Sequence, residues 1–524
     1  MSDLLFNGAS SPFAKTFELR WQPIPNWVGY IIPTLLMQVL PPLVVGRVMD
    51  TLTLVSVVLA TLFLRHRVHG DRNWLAAALV ASVTALGSLW LLGFWGFLLG
   101  VATGFVTWAV AWGRPGKTQS HQRARDIALL SALLLLGYFC HPVSFAITML
   151  GLVALVVANG RAGLGLSATG LVLAALPVLP LVAWYATAMR SGGGFTPVYD
   201  NLQNPTSFLG WKSQLGWVDP ITIASRNALP FVEARSSLYL LVSPVVALGL
   251  GLYLAWLSSW FGSRRPVPLT LRIVEADSKP APVIRPTWIW CVLAGVLLLG
   301  GVFVPDTLGA NNGNYLPQRV IMVGLLLAAV SIDLSHLTRG ARGCGLAATI
   351  ALGVALTLQT AFVWNYGLYA SRLLAGIMSD CKESVGTNQR IGALWLDSRV
   401  PFAVNPLLHA EGLLGLNTGN VVWSNYELAH YYFPLRVRPQ TPHPNADAFS
   451  TVAKTSERTE RLDRWEQLLR DHHAQIDRIV MRGEALILDA VTSRWYSVAY
   501  EHPTNGIRVW KRRESDPAPT IAGS

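Results

Sequence analysis

Charge is what this sequence has least of. Charged residues make up 13% of its 524 positions, about half the roughly 25% of an average soluble domain. A single water-soluble globule is excluded. Cysteine is scarce too: of the four, Cys140, Cys291 and Cys344 fall in apolar stretches and only Cys381 lies outside them, so no disulfide framework is implied. There is no Walker loop, no dinucleotide-binding glycine fingerprint and no paired Cys-x-x-Cys. Neither an internal repeat nor an inverted pair of broken helices is visible, which weighs against a secondary transporter. No basic region followed by an apolar run opens the chain, so a cleavable signal peptide is not expected and insertion must use an internal span. Acids are missing on one side only. Residues 380–524 hold 17 Lys/Arg and 17 Asp/Glu, so the first 379 residues carry the whole net charge of +12.

What is present is apolar. Hydrophobic residues make up 52% of the chain, with 20 Trp and a mean hydropathy of +0.41. Apolar stretches recur at about 43–64, 74–92, 94–112, 127–140, 142–159, 164–188, 237–261, 287–305, 317–334 and 343–368, most of them long enough to cross a hydrocarbon core of roughly 30 Å. They predict about ten transmembrane helices, which makes the chain an integral, multi-pass membrane protein. Trp27 to Leu40 is shorter and contains Pro33; at about 1.5 Å per residue it falls short of a span, and reads as an interfacial or re-entrant helix.

Cations set the orientation. Arg65, Arg67 and Arg72 follow the first stretch, Arg114, Lys117, Arg123 and Arg125 the third, and Arg161 the fifth. Arg264, Arg265, Arg272, Lys279 and Arg285 follow the seventh, Arg339 and Arg342 the ninth. Every second loop is basic, hence cytoplasmic under the positive-inside rule. This alternation requires a break at Cys140-His141-Pro142, where proline also favours a boundary. The 189–236 loop, the segment before Leu316 and the C-terminal part then face outward. With its net charge of zero that C-terminal part is no nucleic-acid partner, and the high pI reports membrane topology.

From residue 380 charge rises and turn signals such as Thr504-Asn505-Gly506 appear. Leu462, Trp465, Leu468 and Leu469 fit one face of an amphipathic helix. Asn420 to Trp423, Ile476 to Met481, Ala485 to Leu488 and Gly506 to Trp510 read as short strands. The expected fold is therefore an all-α polytopic membrane protein with a small extracytoplasmic α/β domain. Its parts are an outward segment with an interfacial helix (1–42), a transmembrane domain (43–370) and the α/β domain (380–524).

The lines FELRWQPIPNWVGYIIPTLLMQVLPP and VVGRVMDTLTLVSVVLATLFLRHRVHGDRNWLAAALV resemble the polytopic glycosyltransferases of the GT-C superfamily, which use polyprenyl-phosphate-linked sugars as donors. In that family a proline-containing approach leads to a surface helix, then to a span that opens with an Arg, here Arg47, and closes with a basic turn, here Arg65-His66-Arg67. FCHPVSF and NYLPQRVIMVGLLLAAV resemble its His-Pro step and the opening of one of its late spans. The likeness covers about the first two thirds of the chain. It implies transfer of a sugar from a polyprenyl-phosphate carrier, in contact with membrane lipids, to an extracytoplasmic acceptor. The family also begins with a further span and a loop carrying the catalytic Asp or Glu, neither of which has a counterpart here; the usual carboxylate would lie before Met1. A catalytically degenerate relative that binds a lipid-linked glycan or scaffolds an envelope complex is the alternative, and a transporter a more distant one.

Such a transfer needs a carboxylate base and cationic donors for the departing phosphate, all near the outer surface. Arg319 opens an outward span end just after Asn311 to Tyr315 and offers a fork of donors to phosphate oxygens; its plainer reading is a snorkelling cation. His141 at an outer helix end could bind phosphate or simply be satisfied by a backbone carbonyl. Arg47 and Asp50, spaced i, i+3, are expected to meet, more as a structural ion pair than as substrate ligands. Glu18 is the fallback base, or else a solvated loop charge. Tyr199, Phe208, Trp211 and Trp217 in the long outer loop anchor it at the interface or stack on sugar rings. In that loop Asp219 and Glu233 are the acids a divalent metal would use, but no ligand spacing supports one and no cofactor is expected. His472 and His473 read as surface residues.

Overall fold

In the computed structural model, residues 1–70, 74–112, 120–159, 167–191, 197, 287–305, 307–308, 315–331, 339–396, 407, 409–429, 433–455, 457–483, 486–502 and 506–514 are described. The expected span at 237–261, the aromatic outer loop with its acids and most of the basic loops lie outside them. The chain divides into two compact units. One gathers residues 25–33 and 44–362; the other gathers 1–24, 34–43 and 363–524.

The first of these is helical. In chain order its elements run α2 (Trp27–Leu36), α3 (Pro42–His69), α4 (Leu75–Ala85), α5 (Ser88–Leu91), α6 (Trp95–Trp112), α7 (Ser120–Cys140), α8 (Pro142–Asn159), α9 (Ala168–Ala175), α10 (Leu179–Ser191), α11 (Trp288–Phe303), α12 (Leu316–Ser331) and α13 (Arg339–Gly376), after a short α1 (Ser2–Asn7) in the other unit. Helices thus lie over every stretch read as a span among the described residues. Among the described residues three are long and apolar enough to cross a membrane: Pro42–His69, Trp95–Trp112 and Gly345–Val385. A fourth is α9 with α10, if that pair, bent by 62°, is one span. Others are shorter: α11 and α12 have 16 residues each, or about 24 Å. The stretch at 74–92 is broken at Leu86-Gly87.

Helix α6 owes its place to glycine. Gly96, Gly100 and Gly104 recur every fourth residue and let α8 approach closely: a Cβ on Gly96 would stand 2.8 Å from Cys140 O, and on the other two would strike Ser144 Oγ and Thr148 Oγ1. Small residues at such spacing are the usual means of close helix packing in lipid. The core that follows includes Trp108, Trp112 and Trp290, with ring centroids 6.0 Å and 5.4 Å apart. At the far end of α12, Arg65 donates to Ala329 O and Val330 O at 3.4 and 3.3 Å, and His69 Nε2 lies 2.9 Å from Val330 O. The Arg65 guanidinium there complements the carbonyl end of the helix. These contacts also set α3 and α12 running in the same direction.

The second unit is α/β. Strands β1 (Phe17–Leu19), β2 (Arg390–Trp395), β3 (Val421–Val422), β4 (Leu435–Val437), β5 (Arg478–Arg482), β6 (Tyr496–Glu501) and β7 (Ile507–Arg512) form a β1-β4 pair and a five-stranded sheet ordered β3-β2-β5-β7-β6. β3, β2 and β5 are parallel; β7 and β6 run antiparallel. Helices α14 (Lys382–Val385), α15 (Ala446–Lys454), α16 (Arg458–His472) and α17 (Leu486–Thr492) complete it. One face of the sheet packs on Phe449, Trp465 and Leu469, the other on Ile377, Leu407 and Leu414. The amphipathic helix is α16, with Trp465, Leu468 and Leu469 buried. One sequence reading is corrected here. Residues 486–488 are not a strand: they open α17, which Trp465 holds by donating to Thr492 Oγ1 at 2.9 Å. The N-terminal residues join this unit through β1, which pairs antiparallel with β4, Glu18 opposite Arg436.

Candidate functional site

The site grows from three helix ends within the helical unit. α7 stops at Cys140 because Pro142 lacks an N–H and opens the next helix, where none is required. His141 sits in that corner, 8% exposed. α12 begins after Tyr315, a non-glycine residue in the left-handed region at φ 59°, and one turn later presents Arg319, 5% exposed. α6 begins after Gly93, whose φ of 71° turns the chain into Phe94-Trp95-Gly96-Phe97.

These ends converge. Arg319 Nη1 stands 3.0 Å from His141 Nε2. The guanidinium carbon lies 4.6 Å from the Phe94 ring centre and 5.5 Å from that of Phe97, within range of the attraction between a cation and an aromatic face. Phe97 meets the imidazole edge-on at 5.5 Å, and Phe94 meets Tyr315 at 5.7 Å. Burial and aromatic walls make this a site of low local dielectric, where charge interactions are strong.

The imidazole faces a conflict. Arg319 is always a donor, and on the other side of the ring the backbone N–H of Val143 donates to Nδ1 at 3.1 Å. A neutral imidazole carries one proton and so cannot accept at both nitrogens. One of the two contacts sets donor against donor. At that imidazole two donors compete for one acceptor nitrogen.

The other residues expected to take part stand as follows. Asp50 does not pair with Arg47: its carboxylate accepts from Trp95 Nε1 at 2.7 Å and its carbonyl from Trp90 Nε1 at 2.8 Å. An i, i+3 spacing permits an ion pair but does not compel one, and a neutral indole pays less desolvation than a guanidinium. Through Trp95, Asp50 is fastened to the same 94–97 turn that floors Arg319. Glu18 belongs to the α/β unit, where its carboxylate accepts from Arg436 Nε at 2.5 Å with Arg438 3.9 Å away; it is an ion-paired strand residue rather than a solvated loop charge. The His473 ring lies tilted 5.8 Å from that of Trp495, and His472 contacts Gln475. Phe94, Trp95 and Phe97 are the site residues that sequence reasoning missed. Their signal is four residues long: a glycine and an aromatic cluster at the head of a span. Among the described residues no group of three or more His, Cys, Asp or Glu could hold a metal ion.

The class defined by these features is a mainly helical protein, some of whose helices can span a membrane, joined to an α/β unit. No family model, curated protein or solved structure matches the chain.

Proposed function

We propose that this protein is a GT-C-like membrane glycosyltransferase that moves a sugar from a polyprenyl-phosphate donor to an acceptor outside the cytoplasm. In this reading about ten helices cross or enter the membrane, and the α/β unit faces the same non-cytoplasmic side as the site. The observation that carries it is the Arg319–His141 pair, 3.0 Å apart on a Phe94–Phe97 floor. Two residues 178 positions apart bring a guanidinium and an imidazole together in a buried corner, and a phosphate oxygen is an acceptor that such donors suit. Tyr315 and the aromatic walls would flank the lipid phosphate, and Asp50 would hold the floor in place through Trp95.

A second reading is a relative that binds the lipid-linked glycan without transferring it. Glu18 favours it, because a carboxylate held by Arg436 is a poor proton acceptor. The test uses the full chain in lipid nanodiscs with radiolabelled undecaprenyl phosphate. Arg319→Ala should weaken binding about 100-fold and His141→Ala about tenfold, as expected for loss of charge-assisted hydrogen bonds. Unchanged binding by Arg319→Ala would sink both readings. Binding without release of sugar from a polyprenyl-phosphate-sugar would leave the second.

A further inference from the structure

The α/β unit carries a cationic corner of its own. β2 and β5 are parallel and in register, with Trp395 opposite Arg482 at their carboxyl ends. From β2 the chain passes to β3 on one side, then returns across β2 to β5 on the other. In open sheets the place where connections part in this way leaves a crevice at the carboxyl ends of the strands, where ligands bind.

The residues at that place are unusual. Arg482 has its Nε and Nη1 buried without a hydrogen-bond partner, and among the described residues it makes no ion pair. Gly483, at φ 104°, turns the chain away immediately after it. Register neighbours project from the same face of a sheet, so Trp395 stands beside Arg482. Trp395 Nε1 donates to Glu411 Oε2 at 3.0 Å, and the second oxygen of that buried carboxylate lies 3.8 Å from Nδ1 of the exposed His409. His409 is itself held in the left-handed region at φ 66°, the kind of backbone outlier that clusters at ligand sites.

Orphaned guanidinium N–H groups call for an oxyanion. A carboxylate and an indole beside them suit hydroxyl groups and the apolar face of a sugar ring. We propose that the carboxyl ends of β2 and β5 bind a small hydroxylated anion, a phosphorylated or carboxylated sugar, with Arg482 on its anionic group and Glu411 accepting from its hydroxyls. The inference stands independently of the transfer reaction.

Equilibrium dialysis of the detergent-solubilised full chain tests it, with radiolabelled glucose 1-phosphate, glucuronate and inorganic phosphate as probes. An Arg319→Ala background removes the guanidinium of the His141 corner, so that binding there is not mistaken for binding at Arg482. In that background saturable binding of at least one sugar probe is expected. Arg482→Gln should weaken it about tenfold or more, and Arg482→Lys, which keeps the charge without the planar fork, by an intermediate factor. Glu411→Gln should weaken glucose 1-phosphate and leave inorganic phosphate unchanged. Phosphate and glucuronate separate the two sources of the anionic group. Absence of binding by either sugar probe at about 10 mM, a concentration far above any specific affinity, would overturn the proposal, as would equal binding by Arg482→Gln. Should Arg482→Gln lose its far-ultraviolet dichroism, a full-strength Arg482→Lys would overturn it instead.

Discussion

Asp50 shows how a single side chain decides what its neighbours can do. It lies in a long apolar helix, where an ionisable group is costly unless partnered, and the partner it finds is an indole. The bond to Trp95 at 2.7 Å and the second indole on its carbonyl pin the start of α6, which in turn sets Phe94 and Phe97 beneath Arg319. Trp95→Phe keeps the ring and deletes one donor to a charged acceptor, so it should cost about 2 kcal/mol; a lowered midpoint in thermal denaturation of the solubilised protein checks this. A second consequence is specific to the site. If the proposed function holds, loosening the floor should also weaken polyprenyl-phosphate binding although neither Arg319 nor His141 has changed.

Between elements, the helical unit is held by small residues and by side chains that repair broken helices. Gly100 is the clearest case, its missing Cβ filled by Ser144 Oγ. Gly100→Leu must separate α6 from α8, and overpacking of that kind costs about 1–3 kcal/mol; since α8 opens directly after His141, it should also move the imidazole away from Arg319. Loss of thermal stability, and under the proposed function weakened lipid-phosphate binding, is the expected result, whereas Gly46→Ala, where a Cβ meets nothing within 4 Å, should lower neither, since alanine is the better helix former. Breaks in the helices are repaired locally. Leu86 O, freed at the end of α4, accepts from Gln359 at 2.8 Å, and Ala174 O, freed where α9 ends, accepts from Ser131 at 2.9 Å. In a lipid environment a free carbonyl has no water to turn to, so these two polar side chains are what allow the bends.

At the scale of the whole molecule, charge is sorted along the chain. The +12 net charge resides in the first 379 residues, while the charges of residues 380–524 sum to zero and serve internal pairs. Asp477 is the principal one. It accepts from the backbone and guanidinium of Arg390, the latter at 2.9 Å, with Arg512 at 3.2 Å. Burial alone would push its carboxyl up, but the hydrogen bonds and charges of Arg390 and Arg512 outweigh it and hold the group below its ordinary value, while the bond to Asp477 raises Arg390. A depressed carboxyl stabilises the fold fully above its unfolded value, 3.8, and that contribution fades as pH falls through the folded one. Asp477→Asn should therefore be least stable relative to the parent at neutral pH and approach it in acid, as pH falls below 3.8 and through the depressed folded value, as followed by near-ultraviolet dichroism between pH 2 and pH 7.

Helical stretches, the break before Pro142, the amphipathic α16 and the candidacy of Arg319 and His141 were all legible in the residue order. Hydropathy, proline and periodicity act over one or two turns, and a one-dimensional pattern records them. Whether helices reach across a membrane was less legible: the breaks at Leu86 and Ala174 depend on Gln359 and Ser131, which are distant in sequence. Tertiary structure alone decided that Arg319 meets His141, that Asp50 chooses Trp95 over Arg47, and that Glu18 folds beside Arg436. Each of these is a choice among partners separated by tens to hundreds of residues. Such choices follow from which surfaces pack and which buried groups then lack a partner, and neither exists until the chain has folded.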